Sequence, residues 1–179
     1  QLSETKITVA SDPRLNVSQK NIDEVYAASK ELEKIQQTAA DAVKQLVESK
    51  TIAEKYKNDL SKLDKETFKA QTEASDSIVK SIDALIDKYL GKIDKRQGIT
   101  RNEEVTPLQR LGIARSYISN SQNGLTATEI TLIQQAKDAL KPLLSETNTF
   151  FNSDWKAYQD KIKTLKIDPF EEIKTFGMD

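Results

Sequence analysis

Histidine and cysteine are both absent from this sequence, and their absence excludes several kinds of functional site. Structural zinc sites are built from cysteine and histidine ligands, so none can form here. The di-iron sites of helical bundles need Glu-x-x-His pairs, and catalytic triads and thiol nucleophiles need His or Cys. Oxygen-only calcium sites stay open, although no EF-hand-like loop is present. We therefore predict no catalytic residue, no cofactor and no catalytic metal, and we expect that the chain is not an enzyme.

Glycine and proline are scarce as well, with five and four occurrences. None of the glycines forms a GxGxxG or GxxxxGK pattern, so no phosphate-binding loop is predicted. No apolar run approaches the roughly 18 residues that a membrane-spanning helix needs. The 27 basic residues nearly balance the 28 acidic ones, which leaves no overall field to attract nucleic acid or an anionic membrane. We therefore expect no nucleic-acid partner and no membrane span.

The sequence is rich in charge: 31% of its residues are charged and only 37% are apolar. A narrow apolar stripe on otherwise charged helices gives such a balance, whereas a disordered chain would not keep a regular apolar period. A chain of 179 residues is long enough to bury one core. The composition is therefore typical of one helical domain.

From Val17 to Leu63, apolar residues recur with the heptad period of a long helix. Ser18 is a suitable N-cap, and no glycine or proline follows before Gly91. The register is lost after Leu63, which predicts a turn near Ser61–Lys65 rather than one rod of about 75 residues and about 110 Å. The two seams of this helix hold the following residues, of which only Ser49 is neither apolar nor aromatic: Val25, Leu32, Ala39, Leu46, Ala53 and Leu60; Ala28, Ile35, Ala42, Ser49, Tyr56 and Leu63.

A second helix follows with a new apolar seam that is out of phase with the first, and it should end between Gly91 and Gly98. Residues 98–105 are polar and predict a loop. Residues at seam positions are expected to be buried. Leu46 of the first helix and Ile82 of the second are therefore predicted core residues.

Two later helices begin at capping boxes. Thr106, with Pro107 in the first helical position and Gln109 three residues after the cap, opens the third helix. Thr126 and Glu129 open the fourth helix in the same way. Both signals indicate helix starts that are fixed locally.

The fourth helix contains Pro142, which should kink or split it, and its apolar stripe continues to about Lys166. Asp168–Pro169 then opens a last helical turn with three apolar residues, Phe170, Ile173 and Phe176. Two long helices and two of unequal length, joined by short loops, are typical of a bundle. We predict an all-α fold, an up-down-up-down four-helix bundle with long helices.

Before the helices, residues Thr5–Ala10 alternate between polar and apolar side chains, which indicates a short β-strand. One strand is not stable alone, so it should pair with something outside the chain or with a second copy, or else stay disordered. Asp12-Pro13-Arg14 ends this strand. We therefore divide the chain into a strand and junction, residues 1–15, that lead from an upstream domain, and a helical bundle, residues 16–179.

Four of the five arginines lie close together in the sequence. Arginine suits partly buried, bidentate contacts better than lysine does. The cluster therefore predicts ion pairs that tie the loop onto the bundle or, as the alternative, an anchor surface for a neighbouring domain. Nucleic-acid binding is disfavoured because Glu103 and Glu104 lie among these arginines. The candidate interface residues are Arg96, Arg101, Arg110 and Arg115.

Four aromatic residues near the end of the fourth helix recur at helical spacing: Phe150, Phe151, Trp155 and Tyr158. Large aromatic side chains commonly fill the ends of helical bundles, so this cluster predicts core packing. A platform on which a carbohydrate stacks is the alternative. Paired carboxylates such as Glu103-Glu104 and Glu171-Glu172 are interpreted as solvated surface charge, since no apolar pocket is implied around them.

Two segments together carry a family resemblance. One is the strand followed by Asp12-Pro13-Arg14-Leu15-Asn16-Val17-Ser18 and a long helix. The other is Thr126-Ala127-Thr128-Glu129 running on to Asn148-Thr149-Phe150-Phe151-Asn152 and Asp154-Trp155. In this order the chain resembles, over nearly its whole length, the C-terminal region of bacterial sortilin-like BNR-repeat proteins, which are often labelled glycosyl hydrolases.

In that family a large exported β-propeller precedes a short β segment, a junction of the DPR type and a helical bundle. The propeller and its Asp-box turns are absent here, so no catalytic or binding residue of the propeller is carried over. The resemblance implies an extracytoplasmic setting, in the periplasm or at the cell surface. It also implies an upstream domain as the partner.

We therefore expect a non-catalytic helical accessory or interaction domain of a larger exported protein, with self-association as a further form of partner binding. The alternative is a ligand-binding bundle that holds a sugar or an apolar molecule between its helices. A ligand-binding bundle should show a sizeable cavity near residues 150–158, whereas an accessory domain should show an exposed apolar or arginine-lined patch.

Overall fold

The computed structural model describes residues 3–9, 12, 14, 16–63, 66–92, 105–121 and 123–165, and all the regular structure within these residues is helical. The predicted all-α class is therefore confirmed. The elements are α1 (Gln19–Lys62), α2 (Lys69–Leu90), α3 (Pro107–Ser119), α4 (Ala127–Phe150), a π-helical turn (Phe151–Trp155) and α5 (Lys156–Lys163). The last three elements follow one another without a break.

The helix ends lie where the local signals predict them. The hydroxyl of Ser18 accepts the backbone N–H of Asn21 and caps α1. α1 ends at Lys62 and α2 begins at Lys69, which confirms the predicted turn. α2 ends at Leu90 and is followed by Gly91 with φ 86°, a conformation that favours glycine.

Both predicted capping boxes are confirmed. The hydroxyl of Thr106 accepts the backbone N–H of Gln109 at 3.2 Å, and the Gln109 side chain accepts the N–H of Thr106 at 3.0 Å. Thr126 and Glu129 exchange the same two bonds, at 3.4 and 2.6 Å. Each box satisfies backbone donors that have no partner inside the helix, which fixes the first residue of α3 and of α4.

α1 and α2 form an antiparallel pair. Lys50 of α1 contacts Asp83 of α2 at 2.7 Å, and Lys57, later in α1, contacts Asp76, earlier in α2, at 2.6 Å. Partners that shift in opposite directions along the two helices show that α2 runs back along the second half of α1.

α3 continues in the direction of α2 instead of turning back. Thr106 lies beside the end of α2, since its Cγ2 atom would be 3.2 Å from a Cβ added to Gly91. Further along α3, Arg115 donates a hydrogen bond to Gln36, in the first half of α1, at 2.9 Å. The predicted up-down-up-down order is therefore wrong, because the order is up, down, down, up. A short connection reverses the chain, but the 16 residues between α2 and α3 leave the direction open.

The last helix runs parallel to α1. Asn21, at the start of α1, donates a side-chain hydrogen bond to the carbonyl of Asn123, just before α4, at 2.8 Å. Later in both helices, Glu31 pairs with Lys137. Partners that advance together along the two helices define a parallel pair.

The part of the chain that the structure describes therefore forms three rods rather than four. The first is α1, the second is α2 followed by α3, and the third is α4 with the π turn and α5. The third rod is antiparallel to α2: Lys88 pairs with Glu146, whereas Ser75, earlier in α2, meets Tyr158, later in the third rod.

The core lies along the line where the three rods meet. Leu46 and Ile82 are both fully buried, which confirms their predicted place in the core. Tyr56 and Leu63, also predicted seam residues, are 38% and 41% exposed, so their seam opens after Ser49, whereas the other seam stays buried at Ala53 and Leu60. The buried apolar residues are Ala28, Leu32, Ala39, Leu46, Ala53, Leu60, Ile78, Val79, Ile82, Leu85, Tyr89, Leu111, Ala114, Ile118, Ile133, Ala136, Leu140, Leu143, Phe150, Trp155, Tyr158 and Ile162.

Pro142 does not split α4, which runs unbroken from Ala127 to Phe150. Its side chain lies on the exposed face of the helix, where water can bond the carbonyl that has lost its N–H partner. The departure from α geometry comes at the π turn instead. The predicted last turn of helix after Asp168–Pro169 lies outside the described residues.

The predicted strand is not present in the described part of the N-terminal segment, residues 3–9, and Ala10 lies outside the described residues. Ile7 and Val9 are 79% and 92% exposed, so no part of the bundle covers them. A single extended segment has no ladder partner for its backbone groups, which is why it does not form a strand by itself.

Candidate interaction surfaces

The arginines that the sequence groups together are only partly placed by the structure. Arg96 and Arg101 lie outside the described residues. Arg110 is half-buried on α3, and Arg115 is exposed and donates to the Gln36 side chain. Five positions along a helix correspond to a rotation of about 140°, so the two arginines point to different sides of α3. The described arginines therefore do not share one surface.

Arg115 has a structural contact that the sequence did not reveal. Its hydrogen bond ties α3 to α1, and it lies near Glu33 on the same face of α1. The hydrogen bond from Lys30 is the main cause that lowers the pKa of the Glu33 carboxyl, and the charge of Arg115 adds a smaller effect. This arginine therefore makes an inter-helix hydrogen bond, which is neither the predicted ion pair of the loop nor a contact with a neighbouring domain.

The four aromatic residues form a continuous row of ring contacts. The ring centroids of Phe150 and Phe151 are 5.3 Å apart, those of Phe151 and Trp155 6.4 Å, and those of Trp155 and Tyr158 5.4 Å. Three of these residues are buried, and Phe151 is half-buried. The rings are therefore packed on the other rods and do not present an open face on which a sugar could stack.

The π turn sets the phase of this aromatic row. Buried residues recur every three or four positions along α4, up to Thr147 and Phe150. Regular α-helical spacing would next bury Asp154, but the extra residue of the π turn buries Trp155 in its place and leaves Asp154 exposed. The stripe then continues through Tyr158. An inserted residue thus keeps a carboxylate out of the core.

Two buried tyrosines make polar contacts inside the core. The Ser75 hydroxyl donates to the carbonyl of Gln71, so it accepts the hydrogen bond from the Tyr158 hydroxyl, at 3.0 Å. Likewise Thr147 uses its proton on a backbone carbonyl, so it accepts from the Tyr89 hydroxyl at 2.9 Å. Burial raises the pKa of both tyrosines, and the hydrogen bonds oppose that effect. These hydroxyls pair with each other, and the two hydrogen bonds fix the register of α2 against the third rod.

Metal and membrane sites are absent from the part of the chain that the structure describes. It contains no group of three or more side chains able to hold a metal ion. In the same residues, no helix is long and apolar enough to cross a membrane.

Shallow grooves run between the rods. One, of about 310 Å³, lies between α2 and the end of α4; we name it the Phe150 groove. Its floor is Leu85 and Phe150, and Lys88, Glu146 and Asp154 form its charged rim. A wider one, of about 540 Å³, lies between the first halves of α1 and α4. Both are open to solvent along the helix axes.

An exposed apolar strip on the second half of α1 is the feature that the sequence interpretation missed. It consists of Ile52, Tyr56 and Leu63, which are 49%, 38% and 41% exposed; we name it the α1 strip. Spacings of four and seven place these residues on one face of the helix. The sequence signal was Ile52, an apolar residue next to the seam residue Ala53 rather than within a seam.

Comparison of the chain with protein-family models, with curated proteins and with solved structures finds no match. The family resemblance therefore rests on the sequence motifs alone.

Proposed function

We propose that this chain is a non-catalytic helical accessory domain of a larger exported protein, and that it acts by binding the domain that precedes it. The observation that carries the proposal is the N-terminal segment. Within residues 3–9, the side chain of Ile7 is 79% exposed and that of Val9 is 92% exposed. Binding to a partner would remove the apolar surface of these two side chains from water, which favours association.

The chemistry of the segment favours a sheet edge as the partner. Its backbone groups are exposed and can bond water, and an extended segment that joins an existing sheet exchanges this water for ladder hydrogen bonds. Alternate residues then lie on one face, so Ile7 and Val9 meet the partner while Lys6 and Thr8 face away. Just beyond, Arg14 donates to the Asp12 carboxylate through its backbone N–H at 2.9 Å and its guanidinium at 2.7 Å. This pair stiffens the junction that leads into α1.

The family resemblance supports the same arrangement and adds its setting. Sortilin-like BNR-repeat proteins place an exported β-propeller before a junction of the DPR type and a helical bundle. A propeller leaves only short sheet edges, and we propose that the segment pairs with one of them. The proposed location is therefore extracytoplasmic, in the periplasm or at the cell surface. Arg96, Arg101 and Arg110 are proposed as a second contact with the same domain, since arginine favours desolvated polar contacts. Arg115 is not included, because it contacts Gln36 of α1.

Hydrogen exchange of the chain with and without its upstream region tests the proposal. We expect the amides of Ile7 and Val9 to exchange at least about tenfold more slowly in the longer protein, because a sheet ladder protects them. The pair Ile7→Ser and Val9→Ser should reverse this protection, and the matched pair Lys6→Ser and Thr8→Ser should not. Unchanged exchange in the longer protein contradicts the proposal. Protection in the isolated chain that grows with its concentration would indicate self-association instead.

A ligand-binding bundle is the second candidate function, and the Phe150 groove is the observation that favours it. Its apolar floor and its polar rim could hold a sugar or an apolar molecule. Ala84 lines the groove, so Ala84→Trp should fill it. A sugar or lipid that raises the melting temperature of the native chain but not that of Ala84→Trp would support this function. No shift with either protein across a panel of such ligands would count against it.

A further inference from the structure

Asn123 and Gly124 form the only Asn-Gly pair in the sequence, and they lie in the connection between α3 and α4. An asparagine followed by glycine can react with its own backbone, because glycine has no side chain to keep the next backbone nitrogen away from the asparagine amide. Whether the pair reacts depends on its surroundings in the fold.

The surroundings of this pair leave it open to reaction. Both residues lie in a bend outside the helices, and Asn123 is exposed to water. Among the residues that the structure describes, the side-chain amide of Asn123 and the N–H of Gly124 have no hydrogen-bond partner. The reacting groups are therefore not held in hydrogen bonds that would have to break first.

The other asparagines of the described chain lack this combination. Asn16 is followed by Val17, whose branched side chain crowds the backbone nitrogen. Asn120 is followed by Ser121, and its side-chain amide donates to the carbonyl of Ser116 at 2.7 Å. Side chains on a helix point back toward its N-terminus, away from the nitrogen that follows. The remaining asparagines all lie in helical segments: Asn21, Asn58, Asn148 and Asn152.

We propose that Asn123 is a site of spontaneous deamidation, and that the isoaspartate product releases the start of α4 from α1. The backbone nitrogen of Gly124 attacks Cγ of Asn123, an N–C bond forms, and the bond from Cγ to Nδ2 breaks. The side-chain nitrogen leaves as ammonia and takes the proton of the Gly124 N–H, which leaves a succinimide ring. Water, the only other reactant, then opens the ring at one carbonyl or the other and gives isoaspartate or aspartate.

The release of α4 follows from the contacts of the same two residues with α1. Asn21 donates its side-chain amide to the carbonyl of Asn123 at 2.8 Å, and a Cβ at Gly124 would lie 3.0 Å from Cγ of Asn21. In isoaspartate the chain runs through the former side chain, so the backbone gains one methylene group. The carbonyl that accepted from Asn21 becomes part of a free carboxylate, and the close fit of this loop on α1 is lost. This inference does not depend on the proposed function.

Peptide mass spectrometry of the full chain, before and after long incubation in mildly alkaline buffer, tests the reaction. Asn123 and Asn120 lie in one tryptic fragment, because no lysine or arginine occurs between Arg115 and Lys137. We expect Asn123 to lose its amide at least about tenfold faster than Asn120, since glycine leaves the attacking nitrogen accessible. Electron-transfer fragmentation distinguishes isoaspartate from aspartate. Equal rates at the two asparagines, or aspartate without isoaspartate, would overturn the proposal.

Freshly prepared Asn123→Asp is the matched control for the release of α4, since it has the charge of the product without the added methylene group. Ion exchange isolates the deamidated native chain through its extra negative charge, and fragmentation identifies the fractions that contain isoaspartate. We expect amides of residues 130–134, early in α4, to exchange at least about threefold faster in these fractions than in the control. Equal exchange would show that the modification does not loosen α4, and the proposal would be wrong.

Discussion

Two tyrosine hydroxyls lie in the core, and each donates to a buried hydroxyl on another rod. Tyr158→Phe removes the donor to Ser75, and Tyr89→Phe removes the donor to Thr147. Each change should lower the free energy of unfolding by about 1 kcal/mol in a urea melt, since a buried acceptor loses its bond. Tyr26→Phe, at a position that is 63% exposed, is the control and should change little. Equal midpoints for all three variants would contradict this assignment.

Replacement by alanine should have opposite effects on stability at two glycines, Gly124 and Gly112. Gly124 has φ +93°, and a Cβ there would lie 3.0 Å from Cγ of Asn21. Gly124→Ala should therefore destabilise the fold by about 1–2 kcal/mol. Gly112 lies inside α3 with open space around it, so Gly112→Ala should stabilise by about 0.5–1 kcal/mol. Melting temperatures that move in the same direction for both variants would refute the prediction.

Because of Asp76, the free energy of unfolding should depend on pH in the acid range. Its carboxylate accepts hydrogen bonds from Lys57 and then from Lys80, and these lower its pKa from 3.8 to about 2. A lowered pKa in the folded state contributes stability that is present above the unfolded value and is lost as the pH falls toward about 2. Asp76→Asn should therefore be less stable than the native chain at pH 5, and the difference should vanish near pH 2.

Urea melts at a series of pH values measure this difference. Glu73→Gln, an exposed carboxylate on the same helix, is the control, and it should show no such convergence. A gap between Asp76→Asn and the native chain that stays constant from pH 5 to pH 2 would show that the ion pairs carry no stability.

At the scale of the elements, the π turn predicts an asymmetry between two deletions. Removing Asn152 should convert the turn to α-helix and keep Phe150 and Trp155 on the buried face. The free energy of unfolding should then change by only about 1 kcal/mol. Removing Ser145 from α4 rotates the preceding residues by about 100° relative to the rest, so it should cost several times more.

Denaturant melts and the near-ultraviolet dichroism of Trp155, the single tryptophan, measure both deletions. The deletion of Asn152 should keep the native tryptophan signal. If the deletion of Asn152 unfolds the chain as completely as the deletion of Ser145 does, the extra residue of the π turn has a role beyond keeping the buried stripe in phase.

The helix ends were predictable because their signals are local. Ser18, Thr106 and Thr126 each act on a backbone group within three residues, so the sequence contains the whole interaction. The direction of α3 was not predictable, since it depends on contacts such as that of Arg115 with Gln36, far apart in the chain. The effect of Pro142 depends on which face of α4 is solvated, and that is known only once the rods are assembled.

For the candidate surfaces, too, local contacts were predictable from the sequence and contacts between distant residues were not. The contact of Phe150 with its aromatic neighbours follows from spacing along one helix. The exposure of Tyr56 and Leu63 does not, because these seam residues remain open only where α5 packs on α2 instead of α1. Heptad spacing indicates which residues face a partner, but it does not indicate where the partner helix departs.

At the scale of the whole molecule, the second rod is made of two helices whose ends meet. Thr106 lies close to Gly91, since its Cγ2 atom would be 3.2 Å from a Cβ added there, so we expect that α2 and α3 stay aligned without the residues between them. Replacing residues 93–104 by a four-residue Gly-Ser linker should leave the melting temperature nearly unchanged, because closing a shorter loop costs slightly less entropy.

Circular dichroism and thermal melts test this replacement. The variant also lacks Arg96 and Arg101, so it separates their role in partner binding from any role in stability. Loss of helical signal in the variant would show that the long connection helps to hold the rods together.

An odd number of rods places the two ends of the described bundle at opposite poles. Ser18 lies at one end of α1 and Leu165 near the other, and a helix of 44 residues spans about 66 Å. Tension applied between these poles would load the long contacts of α1 in shear, so that many side chains resist together instead of opening one turn at a time. The described bundle should therefore resist extension along α1 more strongly than the peeling of one rod from the others.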